Sequence, residues 1–208
     1  MKFVQIFLAM LIIIGIALLC TQKLWVPRLV AEILKIEGTP ASTGSIDGSV
    51  CHETQKYFAV EHDSADSVGS IILVKYKTSP GQHLPCSYVV GKGDFEINTG
   101  DADYFLTFTD TFLLLDRGTA PDPRKLIVYD LRSRTQVYAD QYAKPWSVAA
   151  DTITYWSPID TKVTAQNCPP VAQYTSEGLG AVIESEVTLD LPTLNKKTLG
   201  QYRCSATQ

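Results

Sequence analysis

Residues that could perform acid–base or metal chemistry are few, and their spacing fits none of the common catalytic patterns. The three histidines, His52, His62 and His83, lack the His-x-x-x-His spacing of a helical zinc site. No Gly-x-Ser-x-Gly elbow marks a serine nucleophile. The turn Gly91-Lys92-Gly93 precedes no helix-forming segment that would make it a phosphate loop. The sequence therefore predicts no catalytic residue, no metal and no cofactor.

Carboxylates offer the one route to hydrolysis that these patterns leave open. Asp116, Asp122, Glu184 and Glu186 belong to the residue types that glycosidases pair across a cleft. Glu184 and Glu186, however, share one face of a predicted strand, where exposed carboxylates are common. A cell-envelope hydrolase that uses Asp or Glu for acid–base chemistry is therefore an alternative interpretation rather than the first one.

The segment 116–125, DRGTAPDPRK, is the candidate recognition loop. It connects two apolar predicted strands and contains two prolines, and stiff charged loops on β scaffolds frequently carry recognition. Arg117 and Arg124 offer guanidinium groups to a carboxylate, with Asp122 between them. The alternative is a tight connection that is closed by its own Asp–Arg pairs.

Three aromatic residues are further candidates for binding. Trp146 comes just before the expected strand 147–156, the adjacent pair Tyr155 and Trp156 ends it, and all three stand close to prolines. An exposed group of this kind would form a platform for a sugar or a peptide. The alternative is that all three belong to the core, because tryptophan is highly buried on average.

The N-terminal residues predict the cellular compartment. Residues 3–20, FVQIFLAMLIIIGIALLC, form an apolar run long enough for a membrane helix or for a signal peptide. An uncleaved anchor, a cleaved signal and lipidation at Cys20 all stay open, and the anchor is favoured because the small residues of a cleavage site are poorly placed. Residues 21–36 predict an amphipathic extension with Trp25 at the membrane interface.

Charge separates this N-terminal part from the rest of the chain. The formal net charge is −4 and the pI is about 5.3. Residues 1–36 hold four of the 18 basic residues and one of the 22 acidic ones, which leaves 14 basic and 21 acidic residues, a net charge of −7, in residues 37–208. A nucleic-acid binder needs a basic face, so this class is excluded.

Four cysteines follow the predicted export segment: Cys51, Cys86, Cys168 and Cys204. An even number in an exported chain predicts disulfides, and no Cys-x-x-Cys pair suggests zinc. Sequential pairing, Cys51 with Cys86 and Cys168 with Cys204, is favoured because closing the shorter loops costs less chain entropy.

Alternating and β-branched patterns predict an all-β domain over residues 51–208, after a small, polar linker at 37–50. About eight to ten short antiparallel strands are expected, arranged as a sandwich, a barrel or a partial propeller, with an N-terminal hydrophobic helix before them. No repeat of fixed period is visible. The expected strand regions are 70–77, 87–90, 94–97, a hairpin over 104–116 that turns near Asp110, 125–130, 135–142, 147–156, 181–191 and 198–204.

These observations together predict a non-catalytic, envelope-associated binding protein. Residues 3–20 would hold it at a membrane, facing the periplasm or the exterior, unless cleavage releases it. Its loops would recognise a protein or a glycan outside the cytosol. The alternatives are the envelope hydrolase and a structural subunit of an envelope complex, which would show a large exposed apolar patch.

Overall fold

The computed structural model describes residues 47–208, so the predicted membrane segment 3–20 and its extension to residue 36 lie outside the described residues. The described chain contains eleven antiparallel strands and one short helix. In chain order these are β1 (Val50–Glu53), β2 (Tyr57–Asp63), β3 (Ser70–Tyr76), β4 (Phe95–Ile97), β5 (Asp103–Phe108), β6 (Phe112–Arg117), β7 (Arg124–Asp130), β8 (Thr135–Ala149), β9 (Thr152–Pro158), α1 (Val171–Ser176), β10 (Gly180–Asp190) and β11 (Asn195–Thr207).

The strands form two open antiparallel sheets. The first has the order β1-β2-β3-β4, and the second has the order β11-β10-β9-β8-β7-β6-β5. The all-β class is therefore confirmed, and within residues 47–208 the sheets do not close into a barrel. The strand count exceeds the expected eight to ten because β1 and β2 lie before the first expected strand region, 70–77, whereas β4 corresponds to the expected region 94–97.

Three four-stranded meanders share one recurring hydrogen bond. The long strand β8 serves two of them, since its first half pairs with β7 and its second half with β9. In each meander, the residue after the third strand donates its backbone N–H to the turn between the first two strands. The three bonds are Lys77 N to Lys56 O at 2.7 Å, Leu131 N to Thr111 O at 2.9 Å and Leu191 N to Asp151 O at 2.9 Å.

This repeat has no fixed sequence period because the third unit contains an insertion. Residues 159–179, which include α1, lie between β9 and β10. This insertion separates β10, the third strand of the last meander, from the hairpin β8–β9 by 21 residues of sequence. The recurring backbone contact therefore appears in the structure although no regular interval marks it in the sequence.

Two apolar clusters fill the spaces between successive meanders. The first joins Ala59, Ile72 and Val74 of the first sheet to residues of β6 and β7. The second joins the opposite faces of β6 and β7 to Ile153 of β9 and Leu189 of β10. Strand β7 is therefore buried on both faces, which explains why its sequence, RKLIVYD, is a nearly continuous apolar run rather than an alternating one.

A stapled loop covers the outer face of the first sheet. Residues 77–94 lie over Phe58, Val60 and Leu73, and the Cys51–Cys86 disulfide closes this third cluster. Lys77 occupies the position that Leu131 and Leu191 hold in the other meanders. Its Nζ donates to Glu53 Oε2 at 3.1 Å and to the Thr54 carbonyl at 3.0 Å, so a lysine is satisfied at a buried position.

The second disulfide, Cys168–Cys204, fixes the inserted segment to β11. Both bridges follow the sequential pairing expected from the sequence. Each closes a separation of 35 or 36 residues, for which a stabilisation of about 2–4 kcal/mol is typical.

Three expectations about local structure are wrong. Residues 87–90 belong to the stapled loop, where Val89 and Val90 are exposed, because β-branched residues alone do not provide a pairing partner. The region 147–156 is divided by a turn at Ala150, which takes a φ of 51°, so it contributes to two strands. The helix α1 was not expected, since its six residues carry no helical period.

Candidate binding site

The predicted recognition loop 116–125 connects β6 to β7 and is held by internal ion pairs. Arg117 donates from Nε and a second guanidinium nitrogen to both oxygens of the buried Asp103, at 2.6 and 2.8 Å. Its remaining nitrogen lies 2.8 Å from Asp101. The hydrogen bond to Asp103 raises the pKa of Arg117. This guanidinium therefore fastens β5 to β6.

The other two predicted residues of the loop are also engaged. Arg124 Nε lies 2.7 Å from Asp116 Oδ1, and its guanidinium lies over the ring of Tyr104. Burial raises the pKa of Asp116. Asp122 accepts the backbone N–H of Lys144 at 3.0 Å. The structure thus brings Arg117, Asp122 and Arg124 to one rigid connection, in which each charge has a partner inside the chain.

The predicted aromatic residues do not form one surface. Tyr155 and Trp156 point to opposite faces of β9, as neighbours on a strand must. Tyr155 is fully buried in the second cluster, and burial raises the pKa of its hydroxyl. Trp156 lies under the guanidinium of Arg203, 4.4 Å from the ring centroid. Trp146 is partly buried against the second cluster.

A carboxylate–lysine–serine cluster at the edge of the second apolar cluster has the composition of a catalytic group. Asp140 Oδ2 accepts hydrogen bonds from Lys196 Nζ at 2.5 Å and from Tyr155 Oη at 2.7 Å. Lys196 also donates to Ser157 Oγ at 2.7 Å. A serine nucleophile would need a neutral amine as its base, and this ammonium is instead paired with a carboxylate. The cluster therefore ties β8, β9 and β11 together.

A histidine–carboxylate–serine group lies between the first sheet and β5, and its geometry also differs from a catalytic triad. Glu61 accepts from Ser70 Oγ at 2.9 Å and from the Phe105 backbone N–H at 3.2 Å, and it lies 3.4 Å from His52 Nε2. Burial opposes its ionisation, but the hydrogen bonds from these three groups together lower the pKa of Glu61. The serine and the histidine both bind the carboxylate, so the imidazole is not in position to deprotonate the hydroxyl.

Glu184, expected on an exposed strand face, is fully buried instead. Arg203 Nε donates to its Oε2 at 2.6 Å and Ser205 Oγ donates to the same oxygen at 2.7 Å. A second carboxylate facing Glu184 would be needed for glycosidase chemistry, and its observed partners are a guanidinium and a hydroxyl.

Neither a metal centre nor a membrane helix is found in the described part of the chain. Residues 47–208 contain no group of three or more His, Cys, Asp or Glu side chains that could hold a metal ion. The same residues include no helix with the length and apolar character needed to cross a bilayer.

A surface groove beside the first sheet combines aromatic rings with two arginines. We call it the arginine–tyrosine groove. Its floor includes the buried residues Val74 and Leu131, and its volume is about 160 Å³. The full lining consists of Tyr57, Val74, Tyr76, Gly93, Phe95, Leu131, Arg132 and Arg134. Strands β2, β3 and β4 therefore supply one wall, and the turn between β7 and β8 supplies the other.

The turn fixes the backbone at both arginines and the side chain of Arg134. Asp130 Oδ1 accepts the backbone N–H groups of Arg132 and Ser133 at 2.8 and 2.7 Å, and the hydrogen bonding of Ser133 lowers the pKa of Asp130. Arg134 takes a φ of 60° and donates from its guanidinium to the Gly93 carbonyl at 2.9 Å. This contact joins the turn to the end of the stapled loop, just before β4.

Charge and aromatic geometry make the groove suitable for an anionic ligand. No carboxylate is among its lining residues, and within residues 47–208 the Arg132 guanidinium makes no hydrogen bond or ion pair. Tyr57 and Tyr76 meet edge to face, with ring centroids 5.7 Å apart. Burial raises the pKa of Tyr57, and the nearby Asp130 and Asp110 raise it further.

The sequence analysis missed this groove because its residues come from three distant segments. The run Leu131-Arg132-Ser133-Arg134 marks only a hairpin turn when it is considered alone. Two arginines in one turn without an intervening acid were the available signal. Tyr57 and Tyr76 gave none, because their proximity follows from the pairing of β2 with β3.

A second recess of about 310 Å³ lies over β6, β7 and β8. Its lining includes Arg117, Lys125, Gln136 and Gln141. Arg117 is already engaged by Asp103 and Asp101, so less of its charge is available to a ligand than that of Arg132. The arginine–tyrosine groove is therefore the stronger candidate.

Comparisons with known proteins do not assign a function to the groove. No protein-family model matches the chain, and no match was found among curated proteins or among solved structures.

Proposed function

We propose that the chain is a non-catalytic binding protein that works outside the cytosol and holds a protein or a glycan in the arginine–tyrosine groove. One observation carries this proposal: Arg132 and Arg134 stand at the surface beside aromatic rings, in a groove without a carboxylate. Charged groups that serve only the fold are normally paired, as the other arginines of this domain are.

The paired state of the other polar clusters supports the non-catalytic part of the proposal. Asp140, Glu61 and Glu184 each accept several hydrogen bonds from neighbouring strands. A catalytic carboxylate must be free to exchange a proton with a substrate. Of these three carboxylates only Asp140 lines either of the two recesses, so within residues 47–208 neither recess holds an opposed pair of them. This gives the hydrolase alternative little support.

Two further observations support the location and the architecture. The disulfides are compatible with an oxidising compartment, and the apolar residues 3–20 are the sequence feature that would deliver or anchor the domain there. The three meanders with one recurring hydrogen bond suit a partial propeller.

The structural-subunit alternative is less well supported. It requires a contiguous exposed apolar face. The large exposed apolar residues of the described chain are instead spread over several segments: Val50, Val68, Tyr76, Val89, Val90, Leu199 and Tyr202.

Cross-linking in intact cells tests the proposal. The full-length chain, the double variant R132Q/R134Q and the control K197Q are expressed at equal levels, cross-linked and purified. Lys197 carries the same charge but does not line the groove. We expect one partner to be recovered with the wild type and with K197Q, and at least tenfold less with the double variant. Equal recovery by all three chains, or no specific partner at all, would contradict the proposal.

A folding control accompanies this experiment. Arg134 contacts Gly93, so its replacement could disturb the turn. The single variant R132Q removes a guanidinium that makes no hydrogen bond or ion pair among the described residues, although its charge helps to lower the pKa of Asp130. It should reproduce most of the loss while unfolding at the wild-type temperature.

A further inference from the structure

We infer that the arginine–tyrosine groove recognises an acidic peptide segment of a partner protein, with a glutamate side chain inserted between the arginines. This inference rests on the proposed function, since it names the chemistry that the same groove selects. It depends on charge, on size and on the ring geometry, each of which points to the same occupant.

Charge is the first argument. Residues 37–208 carry a net charge of −7, yet the groove lining contains two cations and no anion. Asp130 adjoins the lining and offsets part of the Arg132 charge, but its Oδ1 is already engaged by the backbone N–H groups of the turn. A local positive site in an acidic domain attracts a carboxylate while the surrounding surface repels a generally acidic molecule. Arginine suits this task because its planar fork can donate two parallel hydrogen bonds to one carboxylate.

Size is the second argument. Pockets that enclose a cofactor or a drug-sized molecule usually measure about 300–1,000 Å³. The groove, at about 160 Å³, has room for a side chain. Its floor of Val74 and Leu131 is apolar, whereas the turn at its rim is cationic. A glutamate has the matching order of groups, with an aliphatic stem that ends in a carboxylate.

Ring geometry is the third argument, and it separates a peptide from a glycan. The rings of Tyr57 and Tyr76 are inclined at 74° to each other, so they offer no coplanar platform on which a chain of sugars could stack. Inclined rings contact the aliphatic part of a side chain and an extended backbone equally well. We therefore favour an acidic peptide over an acidic oligosaccharide.

A peptide selection tests this inference. A phage-displayed library of random octapeptides is selected on the oxidised full-length chain. Each enriched peptide is then synthesised in its selected form and in variants in which one glutamate is replaced by glutamine. We expect glutamate to be enriched and its replacement to weaken the dissociation constant at least tenfold. On R132Q the two forms should bind within twofold of each other, whereas K197Q should behave as the wild type.

Three results of the selection would contradict an acidic peptide as the ligand. Equal binding of the glutamate and glutamine forms, a library without binders, or binding only to oligogalacturonate fragments would overturn the inference. If the partner captured in cells still depends on Arg132, such a result leaves the proposed function standing. If capture is independent of Arg132, the proposed function fails as well.

Discussion

Asp130 and Asp190 make the same hydrogen bond in two hairpins of the second sheet. Asp130 Oδ1 accepts the backbone N–H of Ser133 at 2.7 Å, and Asp190 Oδ1 accepts that of Thr193 at 3.0 Å. In both turns a residue with a φ near 60° follows, Arg134 in one and Leu194 in the other. The two turns are thus built alike, yet only the first carries arginines. The scaffold is repeated, and the groove is specific to one of its units.

The leucines after these aspartates are expected to be major contributors to stability. Leu191 is fully buried in the second cluster, so L191A should lower the free energy of unfolding by about 2–5 kcal/mol. The matched control L199A removes the same atoms at an exposed position of β11 and should change it by less than about 0.5 kcal/mol. Urea denaturation measures both, and similar losses for the two variants would contradict the assigned packing.

The two disulfides should contribute unequally. The double variant C168S/C204S should lose about 2–4 kcal/mol, the usual contribution of a bridge that closes a loop of this length. C51S/C86S should lose more, because Cys51 and Cys86 also pack with Phe58 in the third cluster. Thermal unfolding compares the two variants.

Non-reducing peptide mapping of the wild type should yield only the two sequential bridges, and any other linkage would refute the pairing.

Acid should destabilise the domain through carboxylates that accept hydrogen bonds only in the folded state. Hydrogen bonds from Ser49 and Tyr88 lower the pKa of Asp47 from 3.8 to about 2, and the pKa values of Glu61 and Asp130 are lowered too. Between these values and the ordinary ones the unfolded chain binds more protons, so stability falls as the pH falls from about 4.5 towards 2.

Denaturant unfolding at a series of pH values measures this dependence. D47N should reduce the slope between pH 4 and pH 2 relative to the wild type, because one of the contributing carboxyl groups has been removed. A wild-type stability that does not change below pH 4.5 would show that these hydrogen bonds are absent in solution.

Ser157 should be chemically inert. Its Oγ accepts a hydrogen bond from Lys196 and donates one to Asp140 Oδ2 at 3.5 Å. That carboxylate oxygen also accepts from Lys196 and Tyr155, so it is a poor base for a serine hydroxyl. A fluorophosphonate probe should therefore leave Ser157 unlabelled, as shown by mass spectrometry. D140N should instead cost about 1–3 kcal/mol of stability, since it disrupts a partly buried charged network. Stoichiometric labelling of Ser157 would favour an enzyme.

The sequence predicts the all-β class, the disulfide pairing and most strands, because alternation and cysteine spacing are local or nearly local signals. The hairpin over 104–116 is confirmed with its turn near Asp110, and the strand 181–191 is confirmed with Ile183, Val187 and Leu189 on one buried face. It does not predict the stapled loop over the first sheet, because Val89 and Val90 carry a strand propensity that no partner strand satisfies.

The sequence does not predict which residues form the candidate site. The loop 116–125 has the charges and prolines of a recognition loop, but the arginines Arg117 and Arg124 find carboxylates within the domain. Arg132 finds none among the described residues. Which arginine is paired depends on the contacts between distant strands, and local sequence carries no signal for them.

Photo-cross-linking at a single groove position tests whether a partner protein binds in the arginine–tyrosine groove. Tyr76 and Tyr202 are equally exposed, at 60% and 62%, but only Tyr76 lines the groove. Each is replaced in turn by p-benzoylphenylalanine in the full-length chain, and intact cells are irradiated. We expect one discrete cross-linked protein from position 76 and none from position 202. The same product from both positions, or a product from position 202 alone, would contradict it.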